Sequence, residues 1–168
     1  MRGLYLLSVW LHVLAAAVWI GGMTFLALAL VPEVKRLESR TLAASLIHRT
    51  ASRFRVVGWV SLITLIATGT FNVLHRGFGW AELGDPVFWQ SAFGKTLGAK
   101  LLLVAAILAL SLLHDFLIGP RAVELLRDRP DSPEALALRR RASWLGRIVL
   151  LLALGAVALG VLLVRGPY

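Results

Sequence analysis

Four blocks of nearly unbroken apolar sequence constrain this chain more than any other feature: about residues 4–31, 56–74, 93–118 and 148–164. A helix needs roughly 20 apolar residues to cross a hydrocarbon core. Only helices and closed barrels satisfy their backbone in lipid, and barrel strands are much shorter than these blocks. The expectation is an all-α polytopic membrane protein, with residues 1–168 forming a single four-helix transmembrane domain packed as one bundle. The first block carries Ala15-Ala16-Ala17 near the N-terminus, as a cleaved leader would. It runs far beyond a leader's apolar stretch and so reads as a span. Pro32 is expected to end the first helix and Gly119-Pro120 the third, because proline lacks the amide hydrogen a helix interior needs.

Composition supports the same solvent. Apolar residues are 58% of the chain and mean hydropathy is +0.79, whereas soluble domains sit at roughly 45–50% apolar. The formal charge of +9 would suit nucleic acid, but its placement argues otherwise. The first connection holds Lys35, Arg36, Arg40, Arg49, Arg53 and Arg55, and the third holds Arg121, Arg127, Arg129, Arg139, Arg140, Arg141 and Arg147. Against these thirteen, only Arg2, Arg76, Lys95 and Arg165 lie on the other side, with Lys100 inside a span. By the positive-inside rule both basic connections are expected to face the cytoplasm and both termini to face outward. The partner implied is the lipid bilayer and not nucleic acid. Cysteine is absent, which removes disulfides, thiolate metal sites and cysteine nucleophiles.

The connections differ in character. Residues 33–55 are amphipathic, consistent with flanking helices that extend past the membrane. Arg127 to Ser132 reads as a short polar turn. The outer connection from Arg76 to Ala92 holds Phe78, Trp80, Phe88 and Trp89, which suit either an interfacial segment or a lid over a site beneath it.

Ionisable residues within a span are costly and so mark function by default. His12 falls about eight residues below the outer end of the first helix, roughly 12 Å deep at about 1.5 Å per residue. Lys100 falls at nearly the same depth in the third. For His12 the alternatives are a ligand or a core histidine bonded to a Ser or Thr; for Lys100, a site residue or one that snorkels or pairs with a helix-end carbonyl. His75, beside Arg76 at the outer end of the second helix, is either a second ligand or a headgroup-facing side chain. Asn72 needs a partner, His114 and Asp115 suit an ion pair or helix-end bond, and His48 reads as solvated in a connection.

Three helices carry polar or small stripes at three-to-four spacing, expected to face the interior. They are Ser8, His12, Ala15/Ala16, Trp19 and Met23; Ser61, Thr64/Thr68, Asn72 and His75; and Thr96, Lys100, Val104, Ile107, Ser111 and His114. The fourth helix has instead Gly146, Ala153, Ala156 and Gly160, which suit close packing and no chemistry. There is no phosphate loop, HExxH or paired intramembrane carboxylate, hence no hydrolase or transferase signature.

Three occupants of a site around His12 and Lys100 follow. Copper(I) favours sulfur and imidazole, but the only internal methionine is Met23, leaving His12 and His75 with a water as loose copper ligands. Haem b takes an axial ligand and a wide slot: His12 would ligate and Gly69, Gly94, Gly98, Ala99 and Ala15–Ala17 would leave room. Arg2, Arg76, Lys95 and His75 would then meet the propionates, with a redox or electron-transfer role, a membrane oxidoreductase activity and a membrane redox partner. The third reading is cofactor-free: a Lys–His pair that moves protons or stabilises a partner subunit or homo-oligomer.

The run Leu11-His12 through Trp19-Ile20-Gly21-Gly22 with Pro32 after it resembles the first helix of the CopD-type copper-resistance membrane proteins. So do Arg53-Phe54 before Thr68-Gly69, and Phe93-Gly94-Lys95-x-Leu97-x-x-Lys100-Leu101 opening the third helix. The likeness spans roughly residues 8–118. It implies a plasma-membrane protein of copper uptake or supply whose site faces the periplasm. A more distant likeness is to the HemJ-type protoporphyrinogen oxidases, also four-helix proteins. There a first-helix His seven residues before a Trp, and a third-helix Lys, are associated with haem b; His12, Trp19 and Lys100 match that scheme. The Ile20-Gly21-Gly22 that follows Trp19 departs from the usual Phe-Ala-Gly.

Overall fold

The computed structural model describes residues 2–128 and 132–166. Residues 129–131, in the middle of the expected polar turn, lie outside the described residues. The architecture is all-helical: α1 (Arg2–Phe25), a π-helical turn (Leu26–Leu30), α2 (Val31–Lys35), α3 (Arg40–His75), α4 (Trp80–Gly84), α5 (Pro86–Gln90), α6 (Ala92–Leu112), a second π-helical turn (Leu113–Ile118), α7 (Gly119–Asp128) and α8 (Pro133–Arg165). Four stretches are long and apolar enough to cross a membrane: Arg2–Val34, Ser45–His75, Ala92–Ala122 and Pro133–Arg165.

Each span is longer than its apolar block. The second and fourth helices begin well before the membrane-like sequence, at Ser-capped N-termini: Ser39 accepts the Leu42 amide and Ser132 the Ala135 amide. The amphipathic segment between the first two spans is thus largely an extension of α3. His48 is accordingly an exposed residue of that helix rather than part of a loop.

Pro32 and Gly119-Pro120 do not end their helices, contrary to expectation. Each proline is preceded by a π-helical turn, and helix resumes directly as α2 or α7. Proline removes one amide donor and its ring collides with the carbonyl four residues back. A turn that bonds five residues apart widens the helix and displaces that carbonyl, here of Leu28 and Phe116, so the chain passes the proline without stopping.

The helices run alternately up and down. At one end, here the terminal end, Tyr5 of α1 stacks on His75 of α3, their ring centroids 4.8 Å apart, and Arg76 donates to the Leu163 carbonyl of α8 at 2.9 Å. At the opposite, basic end, Trp59 of α3 donates through Nε1 to Asp115 in the second π turn at 2.9 Å. α1 packs mainly on α3, and α6 on α8. The buried centre draws on all four spans: Trp19, Leu62, Ile107, Val149 and Ala153. Most large apolar side chains, such as Leu28, Leu102 and Leu151, are exposed on the outside. An aqueous protein would bury them; lipid solvates them, leaving only a narrow centre of contact between the helices.

The aromatic connection between the second and third spans folds onto the head of α6. Phe78, Phe88 and Phe93 cluster together, and Trp89 donates to the Leu83 carbonyl at 3.0 Å while lying against Gly98. Trp80 remains exposed. The connection is thus an aromatic cap on the head of α6.

Candidate functional site in the terminal half of the bundle

The polar stripe of α1 faces α3, as its spacing required: Ser8, Ala15 and Trp19 are its buried residues. Between Ser8 and Ala15 on this face, His12 is half-buried and its Nδ1 lies 2.8 Å from the Thr68 hydroxyl. That hydroxyl has one hydrogen and donates it to the Thr64 carbonyl, a back-bond common for threonine within helices. With its hydrogen on the Thr64 carbonyl, the hydroxyl is an acceptor for an Nδ1 hydrogen of His12, and the Leu65 carbonyl is a second acceptor beside the ring. In that tautomer Nε2 would carry the lone pair, the arrangement in which a histidine serves as a metal ligand or proton acceptor while its other nitrogen is held in place.

Gly69 explains how the ring reaches this position. A side-chain carbon there would come within 3.3 Å of His12 Cε1, so the missing side chain lets the imidazole lie close on α3. A matching pair occurs across the bundle. Lys100 of α6 is half-buried, and a carbon added at Gly160 of α8 would stand 3.2 Å from its Nζ. Lys100 lies within electrostatic range of both His12 and Arg76.

These four residues form a layer, and the layer beneath is apolar. Moving seven residues inward along each helix leads from His12 to Trp19, from Gly69 to Leu62, from Lys100 to Ile107 and from Gly160 to Ala153, all members of the buried centre. Seven residues are two turns, which preserves the helix face and descends about 10 Å.

Of the residues singled out in the sequence, His12 and Lys100 share this layer and Arg76 sits above it. His75 belongs to a higher level: it stacks between Tyr5 and Phe71, at centroid distances of 4.8 and 5.7 Å, about two turns above the level of Thr68 and Gly69. Trp19 lies below, 6% exposed, with its indole over Gly58. Asn72, one turn from Thr68 on the same face of α3, has a buried Oδ1 with no hydrogen-bond partner. Among the described residues no three His, Cys, Asp or Glu side chains converge as metal ligands.

Sequence reasoning did not anticipate two participants. The fourth helix was expected to pack only, yet Gly160 accommodates Lys100 and Leu163 accepts from Arg76. At the basic end, Asp115 is paired with His114 at 2.9 Å, as expected, but its other oxygen is held by Trp59. Asp115 is the only acid within one of the four apolar blocks of the sequence, which points to a buried donor; Trp59 stands at the matching depth on α3.

The fold and this layer define a multi-pass helical membrane protein with a small polar site in one half. Family model "Copper resistance protein D" matches residues 48–163, and the chain belongs to that family. The match covers the second, third and fourth spans. It includes α8, which had shown no specific likeness, and it begins beyond His12. An uncharacterized protein of Aquifex aeolicus (strain VF5) is 30% identical over 156 residues, 92% of each chain. No solved structure matches.

Proposed function

We propose that this protein handles copper in the plasma membrane, receiving the ion as cargo at His12 from the outward-facing side on which both termini lie. The observation that carries the reading is the Thr64–Thr68–His12 chain of hydrogen bonds, which with the hydrogen on Nδ1 would free Nε2 of His12 for an ion in the membrane interior. Family membership supplies the metal. The uncompensated Oδ1 of Asn72 supplies an oxygen donor in the same half. An imidazole with an amide oxygen holds copper only weakly, which suits transfer of an ion rather than storage. Lys100 opposes a second positive charge nearby, so its ammonium favours release.

Haem b is the second reading, because a bare Nε2 equally suits an axial ligand, and it would bring the redox role and the likeness to the HemJ-type oxidases. Against it stands the close approach of Gly69 to His12 and of Gly160 to Lys100. A macrocycle at these contacts has to part the helices.

One experiment separates the readings. The detergent-purified chain, expressed with copper and haem precursor supplied, is dialysed, assayed for copper and iron, and its absorption recorded oxidised and reduced. The copper reading expects substoichiometric copper without a Soret band, lost in His12→Ala and increased in Lys100→Met. A Soret band with stoichiometric iron would replace it with haem. Neither metal would leave the layer as a proton-transfer or partner-subunit contact.

A further inference from the structure

A groove of about 750 Å³ opens at the basic end, between Ile118 at the close of the second π turn and the first half of α8. Its lining joins two kinds of surface. Arg140 and Arg141 are exposed guanidinium groups, and no carboxylate is among the lining residues. Trp144, Leu145 and Ile148 follow within two turns, and the apolar face continues along α8 through the exposed Leu151 and Leu154. Trp144 is 58% exposed and carries the Arg147 guanidinium 5.5 Å above its ring.

Tryptophan and arginine side by side mark the headgroup level of a membrane-spanning helix. The groove therefore runs from a cationic mouth at that level directly onto lipid-facing surface. We infer that it binds one anionic phospholipid, with the headgroup phosphate between Arg140 and Arg141 and the acyl chains along Trp144, Leu145 and Ile148. Guanidinium forks match phosphate oxygens, and basic pockets between spanning helices take anionic headgroups in this way. Continuity with the lipid-facing surface selects a lipid over a soluble phosphate, which would use the arginines and leave the apolar wall bare. The inference is independent of what occupies the His12 layer.

The test is native mass spectrometry of the full chain in non-ionic detergent, titrated with phosphatidylglycerol or with phosphatidylcholine of the same acyl chains. Phosphatidylglycerol should be retained about thirtyfold better, as two surface arginines at about 1 kcal/mol each imply. Arg140→Gln with Arg141→Gln should bring the two lipids near parity. Arg121→Gln with Arg139→Gln, the same charge change outside the lining, should leave the preference intact. Equal retention of both lipids by the unaltered chain would overturn the proposal. So would a preference that survives Arg140→Gln/Arg141→Gln or falls equally in the control pair, and so would displacement of the lipid by equimolar glycerol phosphate.

Discussion

The bond between His12 and Thr68 decides whether the site has a bare imidazole nitrogen, so it is the interaction to break first. Thr68→Val preserves the branched shape and removes the hydroxyl that accepts from Nδ1 at 2.8 Å. Leaving a buried donor unmet costs about 1–3 kcal/mol. His12 is only half-buried, and interhelical hydrogen bonds in membranes average about 0.6 kcal/mol of coupling, with a maximum near 1.7. The expectation is a loss of about 1 kcal/mol for Thr68→Val and a coupling of about 0.6–1.7 kcal/mol to His12→Leu. Reversible unfolding of the detergent-solubilised protein in SDS, for both single variants and the double, yields that coupling. Nitrogen-15 spectra of histidine-labelled protein report the tautomer directly: the unaltered chain should show His12 protonated at Nδ1 and bare at Nε2, and Thr68→Val should abolish that preference. Additive single effects, within about 0.3–0.5 kcal/mol, or an Nε2-protonated ring in the unaltered chain, would refute the assignment.

Two further substitutions test the packing. Gly94→Ala should destabilise by about 1–3 kcal/mol through overpacking, because its new carbon would overlap the Phe88 carbonyl, a backbone atom that cannot turn aside. Gly98→Ala should change stability by less than about 0.5 kcal/mol, since its carbon meets the Trp89 ring at an ordinary 3.6 Å; the same SDS titration compares them. Trp59→Phe removes the donor to Asp115 and should cost about 1–2 kcal/mol, falling to nothing when Asp115 is already Ala; an equal cost in both backgrounds would mean the indole matters only by its bulk.

The all-helical class, the four spans and the inward direction of the polar stripes were legible because lipid leaves few solutions: a long apolar block is a helix, and its polar face turns inward. Helix ends were less legible. Pro32 and Pro120 read as terminators by local chemistry, but a widened turn before each accommodates the ring, and that geometry depends on how carbonyls five residues apart are placed. Depth along a helix could be counted, which brought His12 and Lys100 to one level. The partner of each could not. Gly69 and Gly160 are informative only through what stands opposite them, and a glycine in a spanning helix reads the same whether it faces a ring, an ammonium or lipid. The donor to Asp115 was missed for a related reason, since a tryptophan near a membrane boundary already has a sufficient role there.

The two-turn offset between the polar layer and the apolar one bears on which copper function is easiest to perform. An ion at His12 has below it the indole of Trp19 with Leu62, Ile107 and Ala153, and Asp115 with Trp59 lies beyond, at the basic end. Passage between the two polar groups would carry a cation through roughly 15–20 Å of mostly apolar contact, and an unpaired charge in such surroundings is strongly disfavoured. Transport through this chain alone therefore needs Trp19 to swing off Gly58 and admit water. Receiving an ion at His12 and returning it on the same side, as proposed, would need no such opening, and a charged Lys100 nearby would weaken the hold on it. Of the two forms a copper-handling role can take, exchange at one face demands less of this bundle than conduction through it.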